Sequence, residues 1–439
     1  MNDVPTPENV VPMFEPTKHV QEHITVPEFP HTRPRGNGAP MVLNTSDNLA
    51  ELLKHLGLQG VLNEMTFELE VLQNGKPCRS IDSVRSQVIS AMSIYDMPRA
   101  ALDDHLTALS ETTLYHPVRD LLDSAEWDGQ PRVKSVIECL GAKDPNLAES
   151  VLTRWLVGCV ASLYEPTFKS KLVPILQGDQ SYMKTAFVER IAKITARSFL
   201  EGAELNPANK DSVLHAIRSW IVELGELERT TKGRHVNQGS IKAFITKEVD
   251  TVRPPFAKGD VRKPRKTNFI ATVNGTDFLK DDTGNSRYAV IELVAPTSMV
   301  KLNELLGWHY DGSGSLEQPN PELLLQFWLE VKALYQSGYG WMLTLEEQRL
   351  TQTITERYND KGEWYEVLHH KFVGVSETKA RKAEWLGSTD VCEYLGYDVR
   401  NNRQVGKALT QLSKDGLIEE RVSRGKKQYF LVVVTERSD

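Results

Sequence analysis

The run Gly178-Asp179-Gln180-Ser181-Tyr182-Met183-Lys184-Thr185 sets a lysine and a hydroxyl residue at the end of a loop opened by glycine. It follows the apolar residues 171–176 (KLVPIL) and leads into a segment of helical character at 186–195. A strand that turns into a helix start offers backbone N–H groups and the positive end of a helix to phosphate. In such a loop Lys184 reaches the β- and γ-phosphates of ATP and Thr185 ligates Mg2+. Met183 stands where the pattern usually has a second glycine. A non-glycine residue held in the torsions of that position costs about 1–3 kcal/mol. An ordinary strand, turn and helix with an exposed lysine has the same pattern, so the loop needs partners.

Three further segments supply them. Trp220, Ile221 and Val222 form an apolar strand that ends on Glu223, with Glu226 three residues on. Phosphoryl transfer needs one carboxylate to position Mg2+ and a second to polarise the attacking water. Glu223 is read as the metal ligand together with Thr185, and Glu226 as the base, although the two can exchange roles. Residues 269–273 (FIATV) form a buried strand that ends on Asn274, placed to hydrogen-bond the attacking water or the γ-phosphate. A strand-ending Asn followed by Gly275 is also a common turn pair. Arg287 precedes another apolar strand. It is a candidate for the guanidinium that stabilises transition-state charge, or for a surface partner of Asp281 or Asp282.

Two basic segments are candidates for nucleic acid. Residues 253–266 (RPPFAKGDVRKPRK) read as a hairpin with its tip near Lys258-Gly259-Asp260. There Lys258, Arg262 and Lys263 can meet phosphates and Phe256 can stack on a base. Residues 385–439 read as a winged helix. A helix starts at Ser388-Thr389-Asp390, Gly396 turns the chain, and a second helix spans 402–414. A hairpin over 416–434 follows, with Arg424-Gly425-Lys426-Lys427 at its tip. Arg400, just before the second helix, and Arg403 and Lys407 within it lie on the exposed side, and Arg424, Lys426 and Lys427 lie on the wing, all placed for DNA. Solvated basic loops and protein-docking winged helices carry the same signals.

The elements that must hold these residues follow from length and pattern. The chain of 439 residues exceeds one hydrophobic core. With 40% hydrophobic and 25% charged residues its composition is that of a globular protein. A formal net charge of −7 leaves DNA contact to local patches. The four cysteines, Cys78, Cys139, Cys159 and Cys392, are too scattered for a zinc knuckle or disulfide framework. With no signal-like or membrane-length apolar run, a cytoplasmic protein without membrane contact is expected. Residues 1–40 are rich in Pro, Glu, Thr and Gly and read as a disordered or draped arm. Residues 41–110 read as a small α+β domain with a hairpin at Asn74-Gly75, and 111–170 as a helical lead into the core. Alternating strands and helices over 171–318 predict an α/β core with a largely parallel sheet. A helical region at 319–384 precedes the C-terminal domain at 385–439.

These residues together resemble the virulence-associated E family, phage- and island-encoded ATPases related to superfamily 3 helicases. The resemblance spans about residues 110–295. It rests on HPVRDLLDSAEWDGQPR (116–132), VPILQGDQSYMKT (173–185), WIVELGELE (220–228), IKAFITKEVDTVRPPF (241–256) and FIATVNGTDFLKDDTGNSRY (269–288). It implies an AAA+-like P-loop ATPase core that assembles as a homo-oligomeric ring, usually of six, and couples ATP hydrolysis to movement on single-stranded or forked DNA. It places Gly178 to Thr185 in the nucleotide loop, Glu223 and Glu226 in the acidic segment, Asn274 at sensor 1 and Arg287 as a finger acting in a neighbouring subunit. Ser286 replaces the first of two arginines common in the family. The expectation is therefore a helicase for replication of a phage or mobile element in a bacterial host, served by a separate primase. A nucleotide-responsive initiator or loader that does not unwind DNA is the alternative. A defence or regulatory ATPase is a third.

Overall fold

Leu49, Leu52 and Leu53 recur at helical spacing behind the N-cap Thr45, whose hydroxyl accepts the Asn48 N–H, and the helix Ser46–His55 buries all three. The computed structural model describes residues 26–36, 38–78, 80–225, 238–252, 261–276, 278–279, 287–358, 361–378 and 381–434. Two units are distinguished, Met1–Tyr115 and His116–Asp439.

In the first unit a four-stranded sheet runs in the order Lys76–Pro77, Leu69–Gln73, Leu58–Asn63, Leu114–Tyr115. Helices Ser46–His55, Ile81–Ile94 and Ala100–Glu111 accompany it. Asn74 (φ +51°) and Gly75 (φ +79°) both take positive φ, the two-residue turn that matches strand twist. Most of the arm expected over residues 1–40 lies outside the described residues. Thr32–Arg35 pairs antiparallel with Gly38–Val42. Asn48 ties the ribbon down, donating to His31 O at 2.7 Å and Leu43 O at 2.9 Å.

The second unit is mixed α/β. Its main sheet has β1 (Val173–Gln177), β2 (Phe199–Leu200), β3 (Ile221–Gly225), β4 (Asn268–Val273) and β5 (Tyr288–Glu292). All four pairings are parallel, in the order β5-β1-β4-β3-β2. All six residues of β4 are buried, as expected for a parallel sheet covered on both faces. The chain runs from β1 to the β2 edge, returns through β3 and β4, then crosses β1 to reach β5. In open α/β sheets, ligands bind at the carboxyl ends of strands where the order reverses in this way.

The helices of this unit include α1 (Pro145–Tyr164), α2 (Lys184–Ala192), α3 (Gln238–Ile245), α4 (Pro321–Gln336), α5 (Leu345–Thr355), α6 (Glu363–Phe372), α7 (Ser388–Tyr394) and α8 (Asn402–Lys414). α1 is apolar almost all round and correspondingly buried. Buried tryptophans bind helices to the sheet and to each other without leaving an N–H orphaned: Trp155 donates to Phe269 O (2.9 Å), Trp220 to Cys159 O (3.0 Å) and Trp328, between α4 and α2, to Ile191 O (2.7 Å). The strands Val249–Val252 and Val261–Pro264 pair antiparallel as a hairpin stem outside the main sheet.

The C-terminal core begins earlier than the expected boundary at 385. Tyr365, Leu368 and Phe372 of α6 pack with Val405, Leu409 and Leu412 of α8. The Tyr365 hydroxyl donates to Asp415 Oδ2 at 2.6 Å. The strands β6 (Arg381–Leu386), β7 (Glu419–Ser423) and β8 (Lys426–Val434) form a sheet in the order β6-β8-β7. Arg424 (φ +49°) and Gly425 (φ +74°) make its two-residue turn.

Candidate active site

The loop after β1 is shaped by contact and by torsion. A Cβ on Gly178 would lie 2.9 Å from the Tyr182 ring and 3.0 Å from Leu293 Cβ, so a side chain does not fit there. Ser181 (φ +70°) and Met183 (φ +58°) both take left-handed torsions. Met183 is thus in the conformation that favours glycine, and its side chain is half exposed. α2 starts directly after it with no side-chain cap. Its first intrahelical bond is Phe187 N to Met183 O (2.9 Å), which leaves the amides of Lys184, Thr185 and Ala186 free of intrahelical acceptors.

Lys184 folds back over this loop. Its ammonium donates to Gly178 O (2.7 Å), Asp179 O (2.8 Å) and Asn274 Oδ1 (2.8 Å). Burial lowers its pKa against the pull of Asp179, so an arriving anion would favour the charged form. Three parallel strands therefore meet at one point: β1 supplies the loop, β4 ends at Asn274, and β3 carries Glu223.

Glu223 is fully buried. Its Oε1 accepts the hydroxyls of Thr185 (3.1 Å) and Thr272, and its Oε2 accepts the Gly202 N–H (2.7 Å). Gly202 can approach because a Cβ on Gly225 would lie 2.8 Å from Gly202 Cα, which keeps that contact to glycines. Beside these groups opens a cleft of about 940 Å3, lined by Ser181, Lys184, Thr185, Glu201, Glu223 and Asn274 among others. Among the described residues no group of three or more His, Cys, Asp or Glu could hold a metal ion by itself. The donor set does fit Mg2+, which is usually bound through one or two carboxylates plus substrate phosphates and water. Thr185 and Glu223 would hold it.

The expected residues divide by place. Gly178, Asp179, Gln180, Ser181, Tyr182, Met183, Lys184 and Thr185 form one continuous loop and helix start, and Glu223 and Asn274 converge on it. Arg287 does not. Its carbonyl accepts Val173 N at the amino end of β1, the opposite sheet edge from Lys184. Glu226, Phe256 and Lys258 lie outside the described residues. Arg262 is exposed on the hairpin stem. Lys263 corrects the expectation: it is buried, and its Nζ donates to Ile217 O at 3.3 Å, because alternate residues of a strand face opposite sides. Arg400, Arg403, Lys407, Arg424, Lys426 and Lys427 are all exposed on the C-terminal unit, with Lys427 paired to Glu420 at 3.1 Å.

Sequence reading passed over Thr272, Gly202 and Tyr358. Thr272 was accessible to it, since it lies two residues before Asn274 and so on the same strand face. Gly202 and Tyr358 had no local signal. The Tyr358 hydroxyl donates to Glu292 Oε1 (2.6 Å) and lies 3.2 Å from Gln177 Oε1, and its ring meets Phe278 at 5.3 Å, joining the ends of β5 and β1 to the segment after Asn274.

The family model of the virulence-associated protein E-like domain matches residues 122–360, which include every residue of this cleft. The chain belongs to the virulence-associated protein E-like family. The match leaves the first unit and the C-terminal core outside it. Among solved structures, the apo structure of the NrS-1 C terminal region (305-718) is similar with a TM-score of 0.46 and 14% identity, covering 88% of this chain and 98% of that one. An A form apo structure of the same region gives a TM-score of 0.44 at 14% identity, with the same 88% and 98% coverage. No curated protein matches this chain.

Proposed function

We propose that this virulence-associated protein E-like chain is an ATP-driven motor on DNA, a superfamily 3-like helicase serving replication of a phage or mobile element. The observation that carries the reading is the meeting of Lys184, Thr185, Glu223 and Asn274 at the carboxyl ends of β1, β3 and β4. The order β5-β1-β4-β3-β2, which sets β4 between the loop strand and the acidic strand and brings their carboxyl ends together, supports the AAA+-like P-loop reading.

In this reading the free amides of α2 and the Lys184 ammonium hold the ATP phosphates. Thr185 and Glu223 would hold Mg2+, which neutralises phosphate charge. Asn274 orients the attacking water, Glu226 takes its proton, and Arg287 acts on the site of a neighbouring subunit in a ring, expected to be of six. Arg262 of the hairpin stem grips single-stranded or forked DNA. The C-terminal unit acts as a winged helix, with Arg403 and Lys407 of α8 and Arg424 at the β7–β8 turn on the duplex. Priming falls to a separate chain.

The test is ATP hydrolysis with and without DNA by wild type and Lys184→Ala, with forked-duplex unwinding measured alongside. The expected result is DNA-stimulated hydrolysis and strand separation by wild type, and neither by the variant. DNA binding by wild type without Lys184-dependent hydrolysis would replace the motor with a nucleotide-responsive initiator or loader. The strained Met183 is the observation that favours that second reading.

A further inference from the structure

The hairpin stem is fastened by a buried ion pair that nucleotide chemistry does not use. Arg265 and Asp250 have side-chain exposures of 3% and 1%. The pair is bidentate: Arg265 Nε donates to Asp250 Oδ2 at 2.5 Å and Nη2 to Oδ1 at 2.5 Å. Nη1 donates to Phe244 O at 3.2 Å, and the guanidinium lies 4.4 Å over the Phe244 ring and 5.8 Å from the centre of Phe269. One side chain therefore touches the first stem strand through Asp250, α3 through Phe244, and β4 through Phe269.

The connection from Arg265 to β4 is equally constrained. Thr267 Oγ1 donates to Ser219 O at 2.8 Å, and Asn268 Nδ2 to Ser162 Oγ at 3.0 Å. β4 then runs buried through Thr272, which contacts Glu223, to Val273, and is followed by Asn274, which contacts Lys184. Arg262, three residues before Arg265, faces solvent on the stem. A continuous series of contacts thus joins the candidate nucleotide contacts to the exposed stem.

Stability does not explain the pair. Burying two charges carries a desolvation cost, and well-packed apolar residues in their place are often as stable or more so. What a planar, forked guanidinium adds is fixed geometry between the elements it joins. We propose that Arg265 and Asp250 are positioning residues that transmit nucleotide occupancy at the Thr272–Asn274 end of β4 to the stem that contacts DNA. This rests on the nucleotide-and-DNA reading above. It does not require unwinding, because a coupling between two ligands is reciprocal and reads out in binding alone.

The experiment uses the full chain with oligo-dT as the probe. It compares wild type, Arg265→Lys, and the apolar double variant Asp250→Leu/Arg265→Met. Two ratios are read: ATP turnover with and without DNA, and DNA affinity with and without ATP. The expected result is DNA-free turnover and nucleotide-free DNA affinity close to wild type, with both ratios collapsing by about fivefold or more, the size of an ordinary coupling. Loss of folding in Arg265→Lys leaves the double variant as the test, because no charge is left unpaired there. A double variant with wild-type ratios overturns the proposal, since the pair would then be structural alone. Wild type lacking hydrolysis but showing ATP-dependent DNA affinity sinks the motor reading and leaves the coupling testable. Wild type with neither dependence overturns the coupling itself.

Discussion

Met183 holds φ +58° at the last position before α2, where an L-residue crowds its own carbonyl. Methionine, unbranched at Cβ, tolerates this at about 1–2 kcal/mol, whereas a β-branched residue with positive φ is an outlier. Met183→Val is therefore expected to weaken nucleotide binding. Met183→Gly is expected to keep or tighten it, with little change in melting temperature, because glycine's unfolded-state entropy offsets the relief. Equal affinities for the two variants, measured with a fluorescent ATP analogue, would show that the torsion is not held in the bound loop. Thr272 makes a second expectation at this scale. Thr272→Val keeps shape but leaves buried Glu223 one donor short, a cost of about 1–3 kcal/mol. Urea midpoints should fall by that amount and Mg2+-dependent nucleotide binding should weaken, with Thr272→Ser retaining both. The loop lysine and threonine were legible because their types and spacing are local. Thr272 was legible only through its alternation with Asn274 along one strand, and Gly202 was not, because a glycine in a turn acquires its role from a carboxylate that arrives from another strand.

At the level of elements, the strand before the loop and the helix over 402–414 follow from apolar runs and helical spacing alone, and the folded chain has them there. The stem is less legible. Its basic run gives the composition of a DNA contact, but strand alternation turns Lys263 inward and Arg265 is drawn into a buried pair. Composition cannot say which face of a strand is core. The start of the helix Pro117–Asp123 yields a pH expectation. His116 caps it, with Nδ1 accepting Arg119 N at 3.3 Å, so Nε2 carries the proton, buried and without an acceptor among the described residues. Burial first, then Lys266, Lys263 and Arg119, hold its pKa well below the ordinary value of 6.5. Above that value the ring is neutral whether the chain is folded or not. Below it the unfolded chain takes up a proton that the folded chain refuses, so stability is lost as pH falls, by up to about 1.4 kcal/mol per unit. His116→Asn retains a capping oxygen and should flatten urea midpoints compared between about pH 5.5 and about pH 7.5. An unchanged slope in the variant would assign the loss to other groups.

The whole molecule poses a question that one chain cannot answer from within. Arg287 sits at the amino edge of β5 while Lys184 sits past the carboxyl edge of β1, five residues of parallel strand away. At about 3.3 Å per residue that separates them by roughly 16 Å, beyond the reach of an arginine side chain to the same phosphate. Its Nε is buried and without an acceptor among the described residues. A catalytic role for Arg287 therefore requires a second copy, in which the amino edge of one sheet faces the cleft of the next. Arg287→Ala is then expected to bind ATP like wild type and to lose about 10³-fold or more in turnover. Mixing settles the geometry. A chain with Arg287→Ala still offers an intact Lys184, and one with Lys184→Ala still offers an intact Arg287. In a randomly mixed closed ring about a quarter of the interfaces would join those two intact halves, so turnover should return in the mixture although neither chain has it alone. A mixture as inactive as its components would place Arg287 in a structural role and remove the reason for two copies to share a site.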